Sequence, residues 1–166
     1  LRALFPNHTR APMAEHHLAF WEWLGAITPG GRPAPYVMVL ARGGAKSTSA
    51  ELATIALGAR RRRGYGLYVS GTQDQADDHV ASIGLALESP TVEHFYPYMA
   101  GRKVNKYGSS RGWRRNRLWT ASGFTVDAVG LDKTIRGLKL ENRRPDFLVF
   151  DDIDASGDSL DTTQKK

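Results

Sequence analysis

A lysine followed by two hydroxyl residues, Lys46-Ser47-Thr48, stands directly after the small-residue run Ala41-Arg42-Gly43-Gly44-Ala45. Those residue types in that order suit phosphate chemistry. Glycines let backbone N–H groups crowd around phosphate oxygens, an ammonium neutralises the charge, and a hydroxyl reaches Mg²⁺. Far downstream, three acids in four positions, Asp151, Asp152 and Asp154, follow the apolar run Phe147-Leu148-Val149-Phe150. Mg²⁺ takes hard oxygen ligands and keeps several waters, so one carboxylate there serves a metal–phosphate site. A neighbouring carboxylate can orient or deprotonate an attacking water.

Such groups act together only if the fold positions them. Residues 36–40, Tyr-Val-Met-Val-Leu, read as a strand feeding the small-residue turn, and a helix is predicted from about Lys46 to Arg62, ended by Gly64. Its N-terminus adds the positive end of its dipole to the loop. The pattern G-x-x-x-x-G-K-[ST] would place glycines at 40 and 45, where this chain has Leu40 and Ala45. Ala45 costs little at negative φ but is strained in a left-handed conformation. Residues 147–150 are predicted to form a buried, parallel strand, with the acids at its carboxyl end, where open α/β sheets bind ligands.

Between these segments, residues 16–24 carry a helical rhythm with Phe20, Leu24 and Ile27 on one face. Residues 66–70 read as a strand. Gly71-Thr72-Gln73-Asp74 then opens a helix with Ala76, Val80, Ile83 and Leu87 as its apolar stripe, stopped at Ser89-Pro90. Residues 91–112 are aromatic and basic without a clear period. Two short strands, 117–121 and 124–130, flank Ser122-Gly123 as a hairpin, and residues 131–142 form a loop containing Ile135-Arg136-Gly137. The alternation predicts an α/β fold whose mainly parallel sheet is flanked by helices, with a β-hairpin insertion before the acidic strand.

The 166 residues, 41% hydrophobic and 24% charged, suit one globular domain. The absence of cysteine excludes disulfides, thiolate catalysis and Cys-based zinc sites. The five histidines show no ligand spacing, and no serine lies in a Gly-x-Ser-x-Gly elbow. No apolar run approaches the ~20 residues that span a bilayer, and no leader pattern is visible, so a soluble, intracellular chain is expected. A net charge of +6 calls for a polyanionic partner, most plausibly nucleic acid. The arginines cluster at Arg60 to Arg63, at Arg111, Arg114, Arg115 and Arg117 around Trp113 and Trp119, and at Arg143-Arg144. The first block also complements a helix C-terminus. The second suits phosphate contact with stacking, making Arg114, Arg115 and Arg117 candidate nucleic-acid contacts.

Taken together, the segments 41–48, 68–76, 135–137 and 147–154 resemble, in order, the motifs of the ATPase domain of the large terminase subunit. That family is the motor that packages DNA into tailed-phage and herpesvirus capsids. The arginine embedded in the variant Walker A loop carries much of the likeness, and Phe20-Trp21-Glu22-Trp23-Leu24 resembles the family's adenine-side helix. The resemblance implies a P-loop NTPase fold and Mg²⁺-dependent ATP hydrolysis that drives translocation of double-stranded DNA. It also implies a homo-oligomeric ring docked on a capsid portal, a small terminase subunit as a further partner, no membrane, and the host cytoplasm as its place.

Residue by residue, the resemblance puts Arg42, Gly43, Gly44, Ala45, Lys46, Ser47 and Thr48 around the nucleotide. Ser47 and Asp151 would hold Mg²⁺. Asp152 stands where the family commonly has the catalytic Glu, with Asp154 the alternative base. Arg42 contacts the γ-phosphate or responds to a neighbour's ATP, and both remain open. The family places a further strand after Walker B, between the Walker A and Walker B strands, and then a nuclease domain. Neither is visible in these 166 residues, so the sheet is expected to be incomplete and the chain part of a longer one. Two other functions remain: another P-loop nucleic-acid motor such as a helicase, and a non-catalytic basic nucleic-acid-binding module.

Overall fold

The computed structural model describes residues 4–8, 12–132 and 139–153. The expectations for Ile135-Arg136-Gly137 and Asp154 fall outside these residues. A 3-10 turn (Pro6–His8) precedes helices α1 (Glu15–Ala26) and α2 (Lys46–Ala59). Then come strand β1 (Tyr65–Ser70), helices α3 (Gln73–Leu87), α4 (Pro90–Phe95) and α5 (Pro97–Ala100), and strands β2 (Trp113–Arg114), β3 (Arg117–Trp119), β4 (Thr125–Gly130) and β5 (Phe147–Phe150).

The strands form one mixed sheet in the order β2-β3-β4-β1-β5. β1 lies at its heart, buried along its whole length, and pairs in parallel with β4 on one side and β5 on the other. The predicted hairpin is present, with Leu118 opposite Val126. It is no insertion, because β4 is also a parallel partner of β1. The sheet is therefore mixed, with β2 and β3 antiparallel. Helices flank it. Thr72 and Gln75 cap α3 reciprocally, and its stripe of Ala76, Val80, Ile83 and Leu87 is fully buried, as the spacing required. α2 is covered on two sides: Leu52 and Ile55 join the cluster of Tyr68, Val80 and Val126, while Ala53 and Leu57 join Phe20 and Leu24 from α1 and Ile27 just after it. Gly58 is required there, since a Cβ would lie 2.7 Å from the Phe124 ring.

α2 ends earlier than predicted, at Ala59. The Arg61 N–H bonds to Gly58 O and the Arg62 N–H to Leu57 O, a Schellman cap with Arg61 in the left-handed position at φ 52°. Glycine is the cheaper occupant there by about 1 kcal/mol.

Two further expectations are corrected. Residues 36–40 are not a sheet strand. They keep a strand's alternation, with Tyr36 and Met38 packed against the α1–α2 cluster and Val37 and Val39 80% and 86% exposed, but among the described residues no ladder holds them. β5 is parallel as predicted, yet it forms the sheet edge, and Leu148 and Phe150 are 55% and 59% exposed. Among the described residues, no strand pairs with its outer side. Side-chain alternation is local, whereas a ladder needs a partner.

Candidate functional site

The glycine-rich loop wraps the N-terminus of α2. Gly43 has φ 83°, and Gly44 approaches so closely that a Cβ would lie 2.9 Å from that of Leu40. Ala45, the residue before α2, is left-handed (φ 57°, ψ 30°), the strained alternative raised by its side chain. Alanine supplies no capping oxygen, so the N–H groups of Lys46, Ser47 and Thr48 face outward without a side-chain acceptor. Ala45→Gly should therefore raise stability by about 1 kcal/mol in urea unfolding; an unchanged or lower midpoint contradicts the strained geometry.

Lys46 folds back over the loop, its Nζ donating to Leu40 O at 2.9 Å and Ala41 O at 3.3 Å. His17 of α1 braces the far side of the loop, with Nε2 3.1 Å from Gly44 O. Arg42 is exposed, and Ser47 and Thr48 are half-buried.

At the carboxyl end of β5, Asp151 is buried and its N–H continues the ladder to Val69 O at 2.9 Å. Its Oδ2 accepts the Tyr68 hydroxyl at 2.9 Å. Burial first, and then the Asp151 charge, push the Tyr68 phenol far up, so it stays protonated and donates. Asp152 is exposed and left-handed at φ 46°, while its carbonyl accepts from the Gly71 N–H.

His79 of α3 joins the two halves. Its Nδ1 lies 2.7 Å from Glu51 Oε1 on α2, its Nε2 lies 3.7 Å from Asp151 Oδ2, and its ring stacks on Tyr68 at 4.9 Å. Ser47 and Glu51 share a face of α2, one turn apart. The hydroxyl next to Lys46 is thus on the side of the helix linked to Asp151. The hydrogen bond that His79 donates to Glu51 raises its pKa above the ordinary 6.5, against the opposing effect of burial, and the charges of Glu51 and Asp151 add to the rise. Its folded-state stabilisation is full below 6.5 and is lost as pH climbs through the raised value. Without divalent cations, the urea midpoint should fall as pH rises above 6.5 more steeply in the parent protein than in His79→Gln. Parallel slopes would exclude the link.

Among the described residues, no three His, Asp or Glu side chains group into a metal site. Mg²⁺ needs less, because water fills most of its shell. Asp151, whose Oδ2 alone is engaged by Tyr68, and Ser47 fit that partial role.

The three arginines predicted to contact nucleic acid have separate fates. Arg115 reaches Asp78 at 2.6 Å and Asp74 at 3.6 Å on α3. Arg117 donates twice to buried Asp127, at 2.5 and 2.7 Å, and the Tyr65 hydroxyl completes that carboxylate at 2.7 Å. Only Arg114 of the three is free of ion pairs among the described residues. It lines a cavity of about 370 Å³ with Arg111, whose guanidinium lies 5.3 Å from the Trp119 ring centroid.

Glu51, Tyr68, His79 and His17 were not legible as site residues. No motif links them, and partners such as Tyr68 and Asp151 stand 83 residues apart. No helix of the described residues is long and apolar enough to cross a membrane. Comparison with protein-family models, curated proteins and solved structures finds no match for this chain.

Proposed function

We propose that this chain is the ATP-hydrolysing motor domain of a viral DNA-packaging terminase, coupling Mg²⁺-dependent ATP hydrolysis to translocation of double-stranded DNA. One observation carries the reading: the uncapped α2 N-terminus with its lysine and the buried Asp151 are tied together through Glu51 and His79. A metal–triphosphate would use N–H donors and an ammonium on one side and a carboxylate on the other, and these groups support the reading.

In this reading the N–H groups of Lys46, Ser47 and Thr48 cradle the β- and γ-phosphates. Lys46 leaves the carbonyls of Leu40 and Ala41 to neutralise them. Ser47 and Asp151 would hold Mg²⁺, which would withdraw charge from the phosphate oxygens. Tyr68 and His79 fix the Asp151 carboxylate. Asp152, exposed beside it, takes the proton of the attacking water, and Arg42 supports the charge that develops on the γ-phosphoryl group. Double-stranded DNA is held through phosphate contacts of Arg114, a homo-oligomeric ring supplies processivity, and the host cytoplasm is the setting.

Asp152→Asn tests the base. Turnover should fall about 10²–10⁴-fold with Mg²⁺-ATP affinity retained. Undiminished turnover would remove Asp152 from that role and transfer it to Asp154.

A further inference from the structure

The Arg60 to Arg63 block finds its use at the opposite end of the sheet from the Lys46 loop. β1, β4 and β5 all begin there, and a cavity of about 470 Å³ opens between their starts, lined by Arg61, Arg62, Arg63, Arg143 and Asp146 among others. Four arginines and one carboxylate thus line it, with one Arg143 Nη donating to Gly123 O at 3.0 Å. That carboxylate is already committed: Asp146 accepts the Gly64 N–H at 2.8 Å and the Tyr65 N–H at 3.0 Å.

Neutralising the end of α2 does not account for the whole block. Arg60 reaches Gly25 O at 3.4 Å, and buried Arg63 ties Thr28 O, Gly31 O and Arg62 O at 2.7–2.9 Å. Those two serve the fold. Arg61 and Arg62 have no side-chain hydrogen-bond or ion-pair partner among the described residues, and the Arg62 Nε is buried with no acceptor. A buried guanidinium nitrogen without a partner is costly. Arg61 meanwhile occupies the left-handed cap position that glycine would fill more cheaply. Both residues sit where local stability does not explain them, as at a functional site.

We propose that this cavity binds a phosphate group, held by Arg61, Arg62 and Arg143. The net charge of +6 favours a nucleic-acid backbone phosphate as its source, and a free polyphosphate presents the same chemistry. The site does not depend on the nucleotide reading, because its arginines lie at the opposite strand ends from Lys46.

The test uses the Lys46→Ala background, so that the glycine-rich loop does not report. Inorganic pyrophosphate is titrated by calorimetry and a short fluorescein-labelled duplex by anisotropy, each with Arg61→Gly and Arg62→Met added. Both variants remove groups the fold does not use, so thermal midpoints should hold, or rise for Arg61→Gly. Duplex affinity should fall about three- to tenfold per arginine, with the log–log salt slope reduced by about 1. Weakening of the duplex, alone or with pyrophosphate, supports the site and assigns a polynucleotide. Weakening of pyrophosphate alone supports it and assigns a small phosphorylated ligand. Unchanged affinity for both probes, or no binding of either, in folded protein overturns it.

Discussion

Lys46→Ala should weaken Mg²⁺-ATP binding about 100-fold and abolish turnover with it. The lysine is the cation at the α2 N-terminus, and its Nζ is held within the loop by two carbonyls rather than by an acid. Moving from those carbonyls to phosphate oxygens replaces neutral acceptors by charged ones. Each charge-assisted hydrogen bond contributes about 1.5–3 kcal/mol, and about 1.4 kcal/mol corresponds to tenfold in affinity. Two lost contacts therefore reach about two orders of magnitude. Titration with a fluorescent ATP analogue reads the loss, and far-ultraviolet circular dichroism confirms that α2 persists. Parent-like affinity in the variant would detach Lys46 from the nucleotide.

Arg117→Ala should lower stability by about 2–3 kcal/mol. Asp127 is buried in β4 opposite Arg117, and its oxygens are satisfied by the Arg117 guanidinium and the Tyr65 hydroxyl. Removing the arginine leaves a buried carboxylate with one neutral donor. Breaking a fully buried pair costs about 3–5 kcal/mol; Arg117 is 36% exposed, and entering water reduces that figure. The same bond raises the Arg117 pKa still further, so no ordinary pH releases it. For a chain of this size the thermal midpoint should drop by about 4–12 °C. A drop under 1 °C, with DNA binding weakened, would instead make Arg117 the free phosphate contact that its sequence neighbourhood suggested.

The contrast between these arginines shows where sequence reading works and where it stops. The α3 stripe at Ala76, Val80, Ile83 and Leu87 was legible because helical burial is set by spacing within one segment. The loop before Lys46 was legible for the same reason, since glycines, lysine and hydroxyl follow one another in the chain. The acidic strand end was legible as a type, and its parallel pairing held. Residues 36–40 look like a strand in alternation, but without a partner among the described residues they remain an extended, half-exposed segment. Arg114, Arg115 and Arg117 are indistinguishable by composition. Their separate fates are set by Asp78 on α3 and Asp127 on β4, which local pattern does not reveal. Glu51, His79, Tyr68 and Asp151 come from four separate elements, so their convergence is a property of topology alone.

The most direct test of the motor reading is Mg²⁺-dependent ATP turnover by the folded protein, with and without double-stranded DNA. Turnover that requires Mg²⁺, rises with duplex and disappears in Lys46→Ala is the expected result. Folded protein that neither binds nor turns over ATP, yet still binds duplex with Lys46 replaced, would contradict it and leave a basic nucleic-acid-binding module.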